Sequence, residues 1–147
     1  MKIYLDTCAM NRIFDDQSDI RILLESYSMI TIIKLIENNS IDLITSDILV
    51  YENDRNPYID RKTFVNKLAE FSFVTIGLTP SIKRRAKELE QIGIKSIDAL
   101  HLASAELSKV DYFISCDDNI IKKYKGALNI YNPINFLIHY LSTENKP

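Results

Sequence analysis

Apolar residues along this chain fall into short runs, separated by longer stretches in which they recur at helical spacing. Ile3-Tyr4-Leu5 is such a run, ending in Asp6, and it reads as a buried strand. Over residues 18–38 the positions Ile20, Leu23, Leu24, Tyr27, Ile32, Leu35 and Ile36 follow the period of an α-helix. Residues 42–45 (DLIT) read as a second strand, after which Ser46 or Asp47 can cap a short helix carrying Leu49, Val50 and Glu52. A helix over 60–71 would set Phe64, Leu68 and Phe71 on one side, and 73–76 is the next strand.

Thr79-Pro80 predicts a helix start, because proline at the first helical position forfeits no hydrogen bond, and Gly93 suits its end. Ser96 opens another helix, with Ile97, Leu100 and Leu107 on its apolar side. Tyr112-Phe113-Ile114 is a strand that leads into Ser115-Cys116-Asp117-Asp118. Residues 128–131 form the last strand, and Asn132-Pro133 opens a closing helix through Phe136, Leu137 and Tyr140. Strands without polar alternation, separated by helices, predict a sheet covered on both faces. The expected class is α/β, a three-layer α/β/α sandwich on a mostly parallel sheet of about four to five strands. Ligands in such folds sit beyond the carboxyl ends of the strands, so the position of each acid becomes informative.

Composition adds bounds. A chain of 147 residues, 46% hydrophobic, predicts one domain over 1–147 with a full core. With 3 Gly and 4 Pro it is not a low-complexity chain. No segment approaches the roughly 18 uninterrupted apolar residues of a membrane span. The opening MKIYLDT puts an acid where a signal peptide needs an apolar run, so a cytoplasmic protein is expected. Only 2 Cys and 2 His are present, which excludes a zinc-ligand spacing and a disulfide framework. A net charge of −2 lacks the basic footprint of a nucleic-acid binder. The charge is nevertheless local: Lys83, Arg84, Arg85 and Lys87 cluster, as do Lys122, Lys123 and Lys125. Each cluster reads equally as a solvated helix face or as a basic rim around an acidic centre.

The acids carry the candidate chemistry. Asp6 follows the first strand, Asp117 and Asp118 follow the strand at 112–115, Glu52 lies in the short helix, and Asp98 lies in the first turn after Ser96. Singly, each has a plain structural role: Asp6, Asp117 or Asp118 can cap a turn, Asp98 suits its helix dipole, and Glu52 can be exposed. Together they fall at one sheet edge. Converging carboxylates repel and resist ionisation. Magnesium or manganese relieves this, because hard cations take oxygen ligands, and it supplies an acidified water and charge neutralisation for attack on phosphorus. That chemistry needs neither a histidine base nor a covalent nucleophile.

At this point the sequence resembles the PIN-domain family, the fold of many prokaryotic VapC-like toxin ribonucleases. The matching pieces are Ile3-Tyr4-Leu5-Asp6-Thr7, Glu52, the segment SIDALHLASA at 96–105, DYFISCD at 111–117 and Ile130-Tyr131-Asn132-Pro133. They cover nearly the whole chain in the family's order, and DALHLASA followed by a strand ending in Ser-x-Asp is the most specific. The resemblance implies a magnesium- or manganese-dependent endoribonuclease hydrolysing RNA, with Asp6, Glu52, Asp98 and Asp117 as catalytic and metal-holding acids. Ser115 would support the last acid, and Asp118 is an extra acid that leaves Asp117 versus Asp118 open. Asn11 lies near Asp6 but is assigned no role, since Cys8-Ala9-Met10 departs from the commoner polar pattern. Arg84, Arg85 and Lys87 are candidates for the RNA backbone from their charge alone.

His101, one turn after Asp98, is expected to be a hydrogen-bonded structural histidine, and His139 to face solvent. The implied partners are an RNA substrate, a small antitoxin protein laid over the acidic cleft, and a second copy of the chain. The alternatives are a non-nuclease magnesium-binding α/β domain of phosphatase type with Asp6 as nucleophile, a receiver-like switch, or a degenerate nuclease fold kept as a binding module. The phosphatase reading needs an acid two residues after Asp6, where Cys8 stands. The switch needs an acid pair that the short lead into the first strand does not supply.

Overall fold

The computed structural model describes residues 1–144. In chain order the elements are β1 (Lys2–Leu5), α1 (Thr7–Asn11), a 3-10 turn (Arg12–Phe14), α2 (Ile20–Glu37), β2 (Asp42–Ser46), α3 (Asp47–Asp54) and α4 (Ile59–Ala69). Then follow β3 (Ser72–Ile76), α5 (Pro80–Gln91), α6 (Ser96–Ser108), β4 (Tyr112–Ile114), α7 (Asp118–Lys123), β5 (Asn129–Tyr131) and α8 (Pro133–Glu144).

All described strand pairs are parallel, and the sheet order is β3-β2-β1-β4-β5. The chain winds outward from β1 to β3, then crosses to the other side of β1 to lay down β4 and β5. The order therefore reverses between β1 and β4, which opens a crevice at their carboxyl ends. Successive strand residues point to opposite faces and both faces are dry. Ile3, Leu5, Leu43 and Ile114 pack with Met29, Ile32 and Ile36 of α2, Val65 and Leu68 of α4, and Phe136 of α8. Tyr4, Ile44 and Phe113 pack on the other face with Ile82, Ala86 and Leu89 of α5 and Ala99, Leu102, Ala103 and Ala105 of α6. Tyr4 and Phe113 stack at 5.4 Å across the β1–β4 pair, an arrangement that contributes about 1 kcal/mol beyond its burial. The α/β/α sandwich expected from the pattern is the observed architecture, with a sheet that is wholly rather than mostly parallel.

The local signals behave as their chemistry dictates. Thr79 accepts from the Ile82 amide to cap α5, with Pro80 at its first position, and Gly93 takes a left-handed φ of +93° just past its end. Three elements escape the pattern: α1, the 3-10 turn and α7, each too short to show a helical period. The apolar side expected for α6 is also corrected. Leu107 is exposed, while Ala99, Leu102, Ala103 and Ala105 are buried, because small side chains let α6 approach α5 and the sheet closely. His139 does not simply face solvent. Its Nε2 lies 2.8 Å from the Tyr112 hydroxyl, and its ring stacks on Tyr131. Among the described residues no helix is long and apolar enough to cross a membrane.

Candidate functional site

The carboxyl end of β1 delivers Asp6 to the switch point. It is the N-cap of α1, and its Oδ1 accepts from the Ala9 amide at 2.9 Å and from the Cys8 thiol at 3.1 Å. The residue is 2% exposed, and burial pushes its carboxyl well above the ordinary carboxylate range, against the lowering hydrogen bonds of Ser115 and Ala9. Capping and convergence are thus the same geometry: the turn that satisfies the Asp6 side chain also fixes it at the sheet edge.

Glu52 comes from the middle of α3. Its Oε1 accepts from the Thr7 hydroxyl and from His101 Nε2, the latter at 3.0 Å. Burial pushes Glu52 upward, yet the His101 and Thr7 hydrogen bonds outweigh it and hold the carboxyl below its ordinary value. His101 in turn rests on Tyr4, whose hydroxyl lies 2.6 Å from His101 Nδ1 and 2.6 Å from Ser46 Oγ. Burial pushes the Tyr4 hydroxyl far up, so it stays protonated. A chain of donors follows, Ser46 to Tyr4 to His101 to Glu52, with the imidazole proton on Nε2. Both ring nitrogens are thereby engaged, and His101 is 1% exposed. The structural role expected for it is real, and the structure adds that it orients Glu52.

Asp98, in the first turn of α6, faces the same space. Asp6, Thr7, Cys8, Asn11, Asp15, Glu52, Arg61 and Asp98 line one open cleft of about 290 Å³. Asp98 also lines a smaller adjoining cavity of about 40 Å³ with Asp117, Lys95, Asn119 and Lys123. Burial raises the Asp98 carboxyl above its ordinary value, His101 and Lys95 work against this, and Asp117 and Glu52 add to it. Glu52 and Asp117 are therefore within electrostatic reach of Asp98, and Asp6 shares the larger cleft with it.

Asp117 and Asp118 part ways. Asp117 caps α7 by accepting from the Asn119 amide at 2.8 Å, and its own amide donates to the buried Ser115 hydroxyl at 3.0 Å. Ser115 thus holds the backbone that presents Asp117. Asp118 turns away, accepting both Arg21 guanidinium nitrogens at 2.7 Å. Those bonds hold its carboxyl below the ordinary range. The basic trio expected to hold RNA is not brought to the cleft as a group. Arg85 is tied to Glu106 at 2.7 Å and to Glu88 at 2.8 Å, beside Val110 and Leu128 at the amino ends of β4 and β5. Arg84 and Lys87 are exposed on the same helix.

Sequence reasoning missed Thr7 and Arg61 as cleft residues, and it set Asn11 near Asp6 without a role. Asn11 is 8% exposed, and its side-chain Oδ1 is buried without a hydrogen-bond partner. Only the helical phase of α1, which the pattern did not reveal, places it there. The donor set suits a hard cation: carboxylates whose repulsion a cation would relieve, and an orphaned amide oxygen beside them. Among the described residues no three His, Cys, Asp or Glu side chains close into a cage. The set suits magnesium or manganese held through few protein ligands and several waters rather than a closed structural site.

Three comparisons bear on this geometry. The PIN domain family model matches residues 3–126. Among solved structures, the chain is similar to a chain of VapBC2 from Rickettsia felis, in a complex bound to a DNA fragment from their promoter. The TM-score is 0.59 at 15% identity, over 90% of this chain and 98% of that one, a likeness of fold. No curated protein matches the chain.

Proposed function

This chain belongs to the PIN-domain family, and on that premise we propose that it is a metal-dependent endoribonuclease of the VapC-like toxin type. In this reading residues 1–147 form one nuclease domain acting on cytoplasmic RNA, and Asp6, Glu52, Asp98 and Asp117 hold magnesium or manganese. The observation that carries the reading is the meeting of Asp6, Glu52 and Asp98 in one cleft, with Asp117 joined to it through Asp98. When bound, the cation supplies an acidified water and neutralises charge that develops on the phosphate oxygens.

The chain's own residues supply orientation. The Ala9 amide fixes Asp6, Thr7 and His101 fix Glu52, and Ser115 fixes the loop behind Asp117. Asp98 makes no such side-chain hydrogen bond among the described residues. Its burial and its acidic neighbours raise its carboxyl above the ordinary value, so a bound cation favours its ionised form. His101 cannot serve as the general base, because both its nitrogens are occupied inside the fold. By likeness to the VapBC2 complex, a small antitoxin protein is the partner expected to cover the cleft, and a homodimer is a further assembly consistent with the family.

The test is cleavage of a mixed pool of labelled RNAs by purified protein with magnesium, with manganese and with EDTA, alongside Asp98→Asn. Metal-dependent cutting that falls by more than about a hundredfold in the variant is expected. If magnesium raises the melting temperature but no RNA is cut, the nuclease reading fails, and a phosphatase-like or binding role takes its place.

A further inference from the structure

We infer that the corner between α3 and α4 is a nucleobase site: a base of single-stranded RNA next to the scissile phosphate stacks on Tyr58, and Arg61 holds that nucleotide's phosphate. The inference rests on the ribonuclease reading and names how that site grips its substrate.

Arg61 is the one cationic side chain lining the cleft with Asp6, Glu52 and Asp98 among the described residues. It does not swing freely. Its Nη1 donates to Asp15 Oδ1 at 3.1 Å and its Nη2 to the Phe14 carbonyl at 3.2 Å. A guanidinium has five N–H donors, so this anchoring leaves most of the fork for a phosphate. The Tyr58 ring lies 5.3 Å from the same guanidinium and the Phe14 ring 5.9 Å from it. Tyr58 is 64% exposed and serves no core. An aromatic face, a fixed cation and the acidic cleft are therefore contiguous.

The same corner repeats the pairing. Arg55 sits 4.2 Å over the ring of Tyr51, a half-exposed residue directly before Glu52. Aromatic faces interleaved with arginine are how proteins grip single strands, since any base offers a π-face while the cation follows the backbone. A duplex keeps its bases stacked on each other, so this corner selects unpaired RNA. The charge argument agrees. Carboxylates line the cleft and repel a polyanion, so the strand needs cations at the rim, and Arg61 is the one that lines this cleft, on the side away from Lys95 and Lys123 of the adjoining cavity.

The experiment is fluorescence anisotropy with a labelled single-stranded RNA 12-mer of mixed sequence, in magnesium, on full-length protein carrying Asp98→Asn so that the probe survives. Tyr58→Leu is expected to raise Kd roughly ten- to a hundredfold, while Tyr58→Phe, which keeps the ring, stays within about twofold of the parent. Arg61→Gln is expected to weaken binding and to lower the log–log salt slope by about 0.7. Melting temperatures should match for both Tyr58 variants, because the ring is exposed. Unchanged affinity in Tyr58→Leu overturns the inference and leaves the corner to a protein partner, as does equal loss in Tyr58→Phe or a parent that binds no single-stranded RNA. Cleavage with Asp98 intact separates the two readings. A protein that binds through Tyr58 but cuts nothing loses the nuclease reading alone, and one that cuts RNA equally well as Tyr58→Leu loses this one alone.

Discussion

Two groups of acids lie side by side in this molecule and are treated in opposite ways. In the cleft, Asp6 and Asp98 are sheltered from water with no ion-pair partner, and both are driven toward their protonated forms. Along the neighbouring flank, three acids are paired with arginine. Asp15 joins Arg61 and Arg12, Glu25 joins Arg12 and Arg21, and Asp118 joins Arg21, at 2.7 to 3.2 Å. Glu25 is fully buried yet satisfied on both oxygens by Arg12 at 3.2 Å and Arg21 at 2.7 Å. The contrast separates structural charge from functional charge. A fold that can compensate buried carboxylates with arginine on α2 leaves those at the switch point uncompensated, which is the state that a cation and a phosphate complete.

The comparison can be broken from either side. The largest effect is expected in the cleft: Asp98→Asn should abolish metal-dependent cleavage while the protein still folds. On the flank, Glu25→Gln should do the reverse. It leaves two arginines facing a neutral amide and should cost about 3 kcal/mol, the low end for a broken buried pair, because Arg12 and Arg21 keep 19% and 49% exposure. In a chain of this size that lowers the melting temperature by roughly 6–12 °C, with activity per folded molecule retained. A Glu25→Gln protein that melts like the parent would show that the network is ornament.

The pH dependence sharpens the same contrast. Asp98 has a folded pKa above its unfolded one, so its contribution is favourable below the ordinary carboxylate range and is lost as pH rises through the raised value. In EDTA near pH 7, Asp98→Asn is therefore expected to melt above the parent, and the gap should close as pH falls toward about 4. Added magnesium should narrow the gap at neutral pH by stabilising only the parent. Asp118 and Glu106 have lowered values, so their stabilisation is present at neutral pH and is lost as pH falls through them. A gap that does not move with pH would remove the repulsion argument. The smallest effect belongs to Asp118→Asn. Its pair with Arg21 is half exposed and screened, so a change within about 1 kcal/mol and unaltered cleavage are expected. Loss of cleavage there would restore Asp118 to the site.

Much of this was legible along the chain because it is local. Strand and helix periods, the Thr79-Pro80 start, the left-handed Gly93 and the acids at strand ends all depend on neighbours a few residues apart. The order of the acids in the chain was enough to predict that Asp6, Glu52 and Asp98 meet. What escaped depends on partners far away in sequence. Asp117 and Asp118 are adjacent, alike and both at the end of β4, so no local rule separates them. They are separated by Arg21, which lies 97 positions from Asp118 and reaches it only because α2 lies against that edge of the sheet. Tyr4 and His101 are likewise 97 positions apart, and their contact decides that the histidine orients Glu52 instead of acting as a base. Arg61 became the cleft's cation through the placement of α4, whereas Arg85 of the denser basic run on α5 is drawn to Glu88 and Glu106. Sequence alone determined the longer elements and put the acids at one edge, since backbone preference and hydrophobic period act over a few residues. Which charges meet was decided by the tertiary structure, because Coulomb and hydrogen-bond partners are chosen by distance in space after the layers have packed.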